Sequence, residues 1–547
     1  MHAPGYALTL FTFLPLVGAL FILFVPKSRG DITKTIAAAA AFVTLLVAGW
    51  IAIHFDRSTA APQFVERHSW IRSFAIEYYL GVDGISMPMV ILSALVSFVA
   101  IIASWGINDM PRGYFALILL LETGMNGVFV SLDFFLFYVF WEVMLLPMYF
   151  LIGIWGGKER IYAAIKFFLY TLAGSVLILV ALLGIYFWSD GSRSLAPEAK
   201  KFIAAEAASP DAPGAAVKPL QKTFDIPELS RRHRLFDHER FSLFQVGVGF
   251  GTVMFLFLYI GFAIKVPIFP FHTWLPWAHV EAPTAVSVIL AGVLLKMGVY
   301  GFLRVAYPIF PEAALCFAVP IGLLGVFNIL YGAFCAMAQT DLKKLVAYSS
   351  VSHMGFCMLG LAAGTAASVT GCVFQMFSHG LATSMMFLLV GVIYDRAHHR
   401  EINGFGGIAA KMPVYAGFTS LALFASMGLP GLSGFVSEFL VLLGSFTAPA
   451  AWHRLSIGPG VSFQTMTIVA AFGVILTAGY LLWMFQRIFL GPLNSKYETL
   501  EDINGREIFS LAPLAVLVVA LGVWPQPLIS LMNTSVTAFT RFMAGMP

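Results

Sequence analysis

Long apolar runs recur along nearly the whole chain, and they constrain its fold more than any other feature. About fourteen of them approach the roughly 20 residues that a helix needs to cross a bilayer. Only 11% of the 547 residues are charged, whereas a soluble domain carries about 25%. This composition excludes a soluble globule, a disordered chain and a nucleic-acid-binding domain. Runs of this length favour helices over barrel strands, so the sequence predicts an all-α polytopic membrane protein.

The predicted spans are numbered 1 to 14 along the chain. They run 5–25, 35–54, 84–105, 113–131, 134–155, 164–188, 245–273, 284–306, 313–337, 344–362, 368–394, 414–446, 463–487 and 508–532. The positive charges nearest the first run, Lys27 and Arg29, follow it, and no small-residue cleavage site is present. We therefore expect a retained first helix and not a signal peptide.

Basic residues concentrate in the loops that follow odd-numbered spans. These loops carry Lys27, Arg29, Lys34, Arg112, Lys158, Arg160, Lys343, Lys344, Arg396, Arg400, Lys411, Arg487, Lys496 and Arg506. The positive-inside rule then places these loops in the cytoplasm and both termini on the external side of the membrane.

One external loop, residues 189–240, is rich in Ala, Pro, Ser, Lys and Arg. This composition favours a solvated insertion, and a docking surface for a neighbouring subunit is the alternative.

Eight ionisable residues fall at mid-span, where a charge costs about 2.5–3.5 kcal/mol on insertion scales. They are Glu122, Glu142, Lys166, Lys265, Lys296, His353, His379 and Glu438. Such residues face the interior of a helix bundle and mark ion or proton paths. Structural salt bridges and satisfied core histidines are the alternatives, and Glu122 and Lys166 are the weaker candidates.

Two spans are interrupted by helix-breaking residues next to these charges. Pro267 and Pro270 follow Lys265, and a Gly-Pro-Gly-rich stretch around Pro430 precedes Glu438. Irregular backbone at membrane depth requires burial in protein or a wet cavity. The two breaks are five spans apart, which predicts inverted repeats formed by spans 4–8 and 9–13.

The mixture of buried amines, acids and imidazoles favours protons as the transported ion. A lysine in a low-dielectric site loses affinity for its proton, and a nearby carboxylate restores that affinity. Histidine titrates near neutrality and is a natural intermediate. A sodium site would instead favour clustered carboxylates, carbonyls and hydroxyls.

Four segments resemble the antiporter-like membrane subunits of respiratory complex I. They are FLFYVFWEVMLLPMYFLIGIWGG, FAIKVPIFPFHTWLPWAHVEAPTAVSVILAGVLLKMGVYGFLR, DLKKLVAYSSVSHMGF and GLPGLSGFVSEF. The resemblance implies fourteen helices with two inverted five-helix repeats, discontinuous helices 7 and 12, and proton translocation driven by quinone reduction elsewhere. The implied divisions are 1–112, 113–307, 308–490 and 491–547.

The resemblance also implies a role for each mid-span residue that matches the family pattern. Glu142 and Lys265 match a Glu–Lys pair, and Lys296 matches a central lysine. His353 and His379 match histidines of a central axis, and Glu438 matches the ionisable group of the far half-channel.

The same resemblance implies that this chain binds no cofactor or metal of its own. NADH, FMN, iron–sulfur clusters and quinone are expected on other subunits, and the implied partners are neighbouring antiporter-like and small membrane subunits within the lipid bilayer. Residue patterns agree, since no G-x-G-x-x-G fingerprint follows a strand, and the four cysteines lie in apolar runs without a C-x-x-C pair.

Other functions remain open at this point. A subunit of a multisubunit cation/proton antiporter shares the same central residues. A membrane haem protein would use His353 and His379 as axial ligands, and a passive scaffold would leave the buried charges without a role. The His272, His279 and Glu281 cluster fits no zinc-ligand spacing.

Overall fold

The computed structural model describes residues 5–191, 220–237, 240–243, 246–449 and 461–545. The central part of the predicted 189–240 insertion lies outside these ranges. Its predicted solvated character therefore stays a prediction.

Helices make up most of the described chain, which confirms the predicted helical class. In chain order they are α1 (Ala7–Phe24), α2 (Gly30–His54), α3 (Ser86–Ala103), α4 (Pro111–Val130), α5 (Phe134–Val143), α6 (Leu145–Trp155), α7 (Arg160–Trp188), α8 (Ile226–Arg231), α9 (Arg234–Asp237), α10 (Phe250–Lys265), α11 (Trp274–Glu281), α12 (Thr284–Ile309), α13 (Pro311–Cys316), α14 (Ala318–Met337), α15 (Leu342–Ala363), α16 (Ala366–Ala397), α17 (Ile408–Lys411), α18 (Pro413–Ser426), α19 (Ser433–Phe446), α20 (Phe463–Phe489), α21 (Gly505–Val523) and α22 (Gln526–Met543).

Within the described residues, twelve helical segments are long and apolar enough to cross a membrane, with α5 and α6 counted as one. The shorter apolar helices α10, α18 and α19 occupy predicted spans 7 and 12. Fourteen spans result if each interrupted helix is counted once. The exact number and the inverted repeats stay predictions.

The helices form an inner group and an outer ring. Helices α12 and α16 are buried along the whole of their apolar stretches, and α15 is nearly so. Helices α2, α7, α20 and α21 bury only a minority of theirs. Large apolar side chains on the outer helices, such as Ile53, Phe472 and Ile475, are exposed. Such a surface suits contact with lipid or with apolar partner helices.

Both predicted interruptions are present. Helix α10 ends at Lys265, and the chain turns through residues 266–273 before α11 begins. Helices α18 and α19 are separated by residues 427–432, where Gly428 and Gly431 have φ of +73° and +92°. Side chains other than glycine rarely adopt this left-handed conformation. The sequence therefore places both breaks through its proline and glycine residues.

Predicted span 5 coincides with the helical segment Phe134–Trp155, which is interrupted at Met144. The boundaries of two other predicted spans are wrong. Predicted span 7 begins too early, because residues 246–249 form a strand. Predicted span 14 extends too far, because α21 ends at Val523 and a separate helix, α22, follows. Pro525 and Pro527 cannot continue the hydrogen-bond ladder of α21.

Two antiparallel hairpins were not predicted. One pairs β1 (Gln63–Ile71) with β2 (Ile76–Val82), and the other pairs β3 (Arg240–Leu243) with β4 (Val246–Gly249). Neither has the long regular alternation of an ordinary strand, and β1–β2 contains two register irregularities. A hydropathy reading that searches for spans passes over such short elements.

The loops that follow odd-numbered spans meet at one end of the molecule, which we call the basic end. The Gly157 amide donates to the Glu281 carbonyl at 2.9 Å. Arg400 donates to the Val280 carbonyl at 2.8 Å and pairs with Asp341 at 3.2 Å. These contacts gather four separate loops on one side, as the charge pattern predicts.

The other loops meet at the opposite end, which we call the hairpin end. The Ile226 amide donates to the Leu132 carbonyl at 2.9 Å, and the Phe134 amide donates to the Phe224 carbonyl at 2.8 Å. Buried Asp133 caps α5 by accepting from the Leu136 amide at 2.9 Å. The end of the predicted insertion is thereby joined to the start of α5.

The β1–β2 hairpin also holds the first helix. The buried carboxylate of Glu66 accepts from the Leu8 amide at 2.7 Å, from the Thr9 amide at 3.1 Å and from the Thr9 hydroxyl. The same hydroxyl lies 2.6 Å from the Tyr78 hydroxyl. A carboxylate at a helix N-terminus is stabilised by the free amides and by the helix dipole. Glu66 therefore clamps α1 to the hairpin end.

Candidate functional site

Lys296 lies at the centre of the buried helix α12 and is fully enclosed. Its ammonium Nζ is 2.8 Å from His379 Nδ1 and also donates to the Ala291 carbonyl. Residues Leu290–Leu294 form a π turn, in which the hydrogen bonds of the helix reach back five residues. The Ala291 carbonyl lies in this wider turn, five residues before Lys296. The local helix geometry therefore supplies one partner of the ammonium and α16 supplies the other.

His379 leads to His353 and then to Glu438. The rings of His379 and His353 have centroids 5.4 Å apart, and His353 Nδ1 is 3.1 Å from Glu438 Oε1. None of these residues is more than 5% exposed. The sequence of groups Lys296, His379, His353 and Glu438, which we call the central chain, crosses from α12 through α16 and α15 to α19.

A small cavity lies beside the central chain. Gln375, Ser426 and Gly434 contribute to its lining together with both histidines and Glu438. It has room for about one water molecule. His353 Nε2 and His379 Nε2 have no hydrogen-bond partner among the described residues. Water in this cavity would satisfy buried ring nitrogens and would join the two imidazoles.

The cavity is too small for a porphyrin macrocycle. This geometry argues against His353 and His379 as axial haem ligands. Within the described part of the chain, no group of three His, Cys, Asp or Glu side chains is placed to hold a metal ion. The His272, His279 and Glu281 set is therefore not brought together as a metal site.

Lys265 and Glu142 lie at the ends of interrupted helices. Lys265 is the last residue of α10 and is 2% exposed, and its ammonium lies over the rings of Trp141 at 5.2 Å and Phe167 at 5.8 Å. Glu142 is half-buried in the last turn of α5, and its Oε1 has no partner among the described residues. The two charged groups interact electrostatically but are not within 4.0 Å of each other.

A residue that the sequence reasoning missed supports the break beside Lys265. Asn328 on α14 is fully buried. Its Oδ1 accepts from the Phe269 amide at 2.8 Å, and its Nδ2 donates to the Pro267 carbonyl at 3.2 Å. Irregular backbone leaves such groups unpaired, so one amide side chain satisfies both a donor and an acceptor. An asparagine in an otherwise apolar span was the only signal in the sequence.

The two weaker candidates have different surroundings. Glu122 on α4 is fully buried, and neither carboxylate oxygen has a partner among the described residues. Lys166 on α7 is only half-buried, and its ammonium lies over the rings of Tyr162 at 5.6 Å and Trp277 at 5.8 Å. Neither residue makes a hydrogen bond or an ion pair to the central chain.

The family model described as NADH:quinone oxidoreductase/Mrp antiporter, transmembrane, matches residues 131–461. The chain belongs to this family. All of the central chain, both interrupted helices and the Glu142–Lys265 couple lie inside the matched region. The membership covers two related groups of complexes, so the individual relatives decide between them.

Relatives named for complex I are similar over nearly the full length. The NADH-quinone oxidoreductase subunit M of Rhodobacter capsulatus is 42% identical over 537 residues, which cover 97% of this chain and 95% of the relative. A chain of respiratory complex I from Thermus thermophilus, solved with bound NADH, has a TM-score of 0.79 at 28% identity and covers 98% and 99% of the two chains.

The antiporter side of the family shares the fold. A chain of the Mrp complex from Dietzia sp. DQ12-45-1b has a TM-score of 0.76 at 21% identity, and the match covers 99% of each chain. Identity this low shows a common architecture alone. The comparisons therefore favour the complex I group over the antiporter group, and both structures come from membrane assemblies of several subunits.

Proposed function

We propose that this chain is a proton-translocating membrane subunit of an NADH-quinone oxidoreductase. The observation that supports this function best is the buried central chain, in which an amine, two imidazoles and a carboxylate follow one another inside the family-matched region. The redox groups, namely NADH, FMN, iron–sulfur clusters and quinone, belong to other subunits in this proposal. Quinone reduction there drives proton movement here.

The central chain can pass a proton by successive hydrogen-bond transfers. Protonated Lys296 gives its proton to His379 Nδ1, and His379 releases a different proton from Nε2 to water in the adjoining cavity. His353 accepts that proton at Nε2 and releases one from Nδ1 to Glu438. One proton enters and one leaves, so each group returns to its starting charge once Lys296 is reloaded and Glu438 is emptied. Imidazole suits the middle positions because it donates and accepts on opposite sides.

Glu142 and Lys265 provide a means of biasing the transfer. Contact between a carboxylate and a buried ammonium stabilises the charged amine, and separation favours release of its proton. The two groups lie beyond ion-pair distance in this structure. Both residues lie beside helix interruptions, where small backbone movements change the distance between the carboxylate and the ammonium. The proposal assigns them to the step that loads or empties the central lysine.

The orientation and the assembly follow from the same proposal. The basic end faces the cytoplasm of a bacterial cell, and the hairpin end and both termini face the external side of the cytoplasmic membrane. Neighbouring antiporter-like and small membrane subunits would cover part of the exposed apolar ring. Spans 4–8 (113–307) and spans 9–13 (308–490) would form the inverted repeats, with 1–112 and 491–547 flanking them.

Proton pumping by membranes that contain Glu142→Gln or Lys265→Ala tests this function. We expect NADH-driven acidification of inverted vesicles to fall strongly in both variants, while reduction of ferricyanide by NADH continues. Lys158→Ala, which changes an exposed lysine at the basic end, serves as the matched control. Wild-type acidification in both variants, with the complex assembled, would contradict the proposal.

The identity of co-purifying subunits separates this proposal from the antiporter alternative. A complex with NADH-oxidising subunits supports the proposed function. A complex that exchanges cations for protons without NADH oxidation would support an Mrp-type antiporter instead.

A further inference from the structure

His279 is a fully buried histidine that the central chain does not include. It lies on the short helix α11, and its ring stacks on Phe387 of α16 with centroids 4.4 Å apart and an interplanar angle of 12°. Its backbone carbonyl accepts from the Ser287 hydroxyl at 3.0 Å. Neither ring nitrogen has a hydrogen-bond partner among the described residues. Stacking alone would be served by an apolar ring, so the two unsatisfied nitrogens require another explanation.

The position of His279 is intermediate between the basic end and Lys296. Two residues further along α11, Glu281 contacts the loop at Gly157, and the next carbonyl, that of Ala282, accepts from Lys343 at 2.6 Å. Lys343 and Lys296 are the two cations whose charges act on His279. The imidazole therefore lies between a lysine at the basic end and the lysine of the central chain.

Helix α16 gives a scale for the distance to be crossed. Phe387, which stacks on His279, is eight residues from His379, a separation of about 12 Å along the helix axis. A gap of this length corresponds to about four hydrogen-bond steps, and so to about three water molecules, at normal hydrogen-bond spacing. The His279 ring nitrogens make no hydrogen bond to His379, although the two imidazoles interact electrostatically, so proton transfer between them requires a short water chain.

Ser384 supplies a polar group within this gap. Its buried hydroxyl has no hydrogen-bond partner among the described residues. It faces Gly292, where an added Cβ would lie 2.5 Å from the hydroxyl oxygen. Gly292 is one residue beyond Ala291, whose carbonyl holds the Lys296 ammonium. The hydroxyl therefore stands between the levels of Phe387 and His379, beside the helix that carries Lys296.

We infer that His279 is the relay through which protons from the basic end reach Lys296, with Ser384 ordering the water between them. This inference rests on the proposed function. Neutral His279 accepts a proton at one ring nitrogen from water on the Lys343 side and releases the proton of the other nitrogen toward Ser384 and Lys296. Rotation or tautomer exchange of the imidazole then restores the starting state, and no charge accumulates.

His279→Gln tests the relay because glutamine can hydrogen-bond but cannot carry the proton. His279→Phe is the second variant, since a phenyl ring keeps the stacking on Phe387 and so preserves packing. His272→Gln is the matched control. His272 is also buried, lies in the same interrupted region and has one ring nitrogen without a partner among the described residues, but the cation whose charge acts on it is Lys166 and not Lys343 or Lys296. All three are made in the whole complex and measured in inverted vesicles, where the bath contacts the basic end.

We expect His279→Gln and His279→Phe to slow NADH-driven acidification about tenfold, which corresponds to about 1.4 kcal/mol in one transfer step. The reduction in the pumping rate becomes larger as the pH of the external medium is raised from 6 to 8, because the supply of protons then limits the rate. A merely structural defect would lower pumping equally at every pH. Ferricyanide reduction and His272→Gln pumping stay at wild-type levels.

Wild-type pumping by both His279 variants across this pH range would overturn the relay, and so would a loss that does not depend on pH. Lys265→Ala is measured in the same preparation to separate this result from failure of the proposed function. If Lys265→Ala abolishes pumping and the His279 variants do not, the relay alone is wrong. If Lys265→Ala also pumps normally, the proposed function is wrong.

Discussion

Replacement of Asn328 by leucine tests whether one amide side chain holds the break that presents Lys265. Leucine has the same branched shape and the same number of heavy atoms as asparagine, but its side chain neither donates nor accepts. The change leaves the buried Phe269 amide and Pro267 carbonyl without the partners that Asn328 provides at 2.8 and 3.2 Å. An unsatisfied buried group costs about 1–3 kcal/mol, so the two together destabilise the closed form of residues 266–273 by about 2–6 kcal/mol.

Hydrogen–deuterium exchange measures this change locally. A lower limit of about 2 kcal/mol corresponds to roughly 30-fold faster opening, so peptides that cover residues 266–273 should exchange at least that much faster in Asn328→Leu. Proton pumping should fall in parallel, because Lys265 no longer has a fixed position.

Asn126→Leu is the matched control for this experiment. Asn126 is likewise fully buried and bridges Ser93, at 2.7 Å, and the Phe11 carbonyl, at 3.2 Å, in another part of the molecule. Its replacement should leave exchange in residues 266–273 unchanged. Equal exchange of that segment in wild type and Asn328→Leu would refute the argument that Asn328 holds the break.

Three further changes have defined outcomes. Glu66→Gln removes the negative charge that holds the start of α1. We expect it to lower the stability of the purified complex by about 1–2 kcal/mol and therefore to lower its unfolding temperature. An unchanged melting curve would contradict this role of Glu66. Burial raises the pKa of Asp133 to about 6, so the folded protein holds this proton more tightly than the unfolded chain does. The stabilisation of the folded state that results is present below pH 4 and is lost as the pH rises through 6. Asp133→Asn should remove that part of the pH dependence of unfolding, and parallel wild-type and variant curves would count against it. Gly428→Ala places a Cβ about 2.9 Å from Glu438 Oε2 at a φ of +73°, so pumping should fall while Gly417→Ala, which meets open space, leaves it intact.

The sequence predicted the features that depend on hydropathy and on helix-breaking residues. Long apolar runs can form few stable structures in a bilayer. The prolines around positions 267 and 430 interrupt a helix whatever its neighbouring helices are. Mid-span charge likewise singled out the four residues of the central chain. The order of these residues, from Lys296 through two histidines to Glu438, could not be predicted from mid-span charge, because it depends on which helices are neighbours.

The features that sequence reasoning missed are set by contacts between distant segments. Asn328 supports a break about sixty residues away, and nothing in its own span indicates the partner. Glu66 caps a helix that precedes it by a similar distance. The sequence also does not reveal the surroundings of His279, because a histidine near a helix break looks the same in sequence whether or not its ring nitrogens have hydrogen-bond partners.

The π turn at Leu290–Leu294 has a consequence for how Lys296 is aimed. A π turn contains one more residue than the α-helix needs to complete the same revolution, and each α-helical residue accounts for about 100°. Residues after the turn are therefore out of phase with those before it by that angle. Rewinding this turn as α-helix with all of its residues kept would swing the amine about a quarter of a revolution away from His379, whereas deleting one residue would make the helix regular and keep the direction of the amine. The wider turn, and not the side chains in it, therefore sets where Lys296 is aimed.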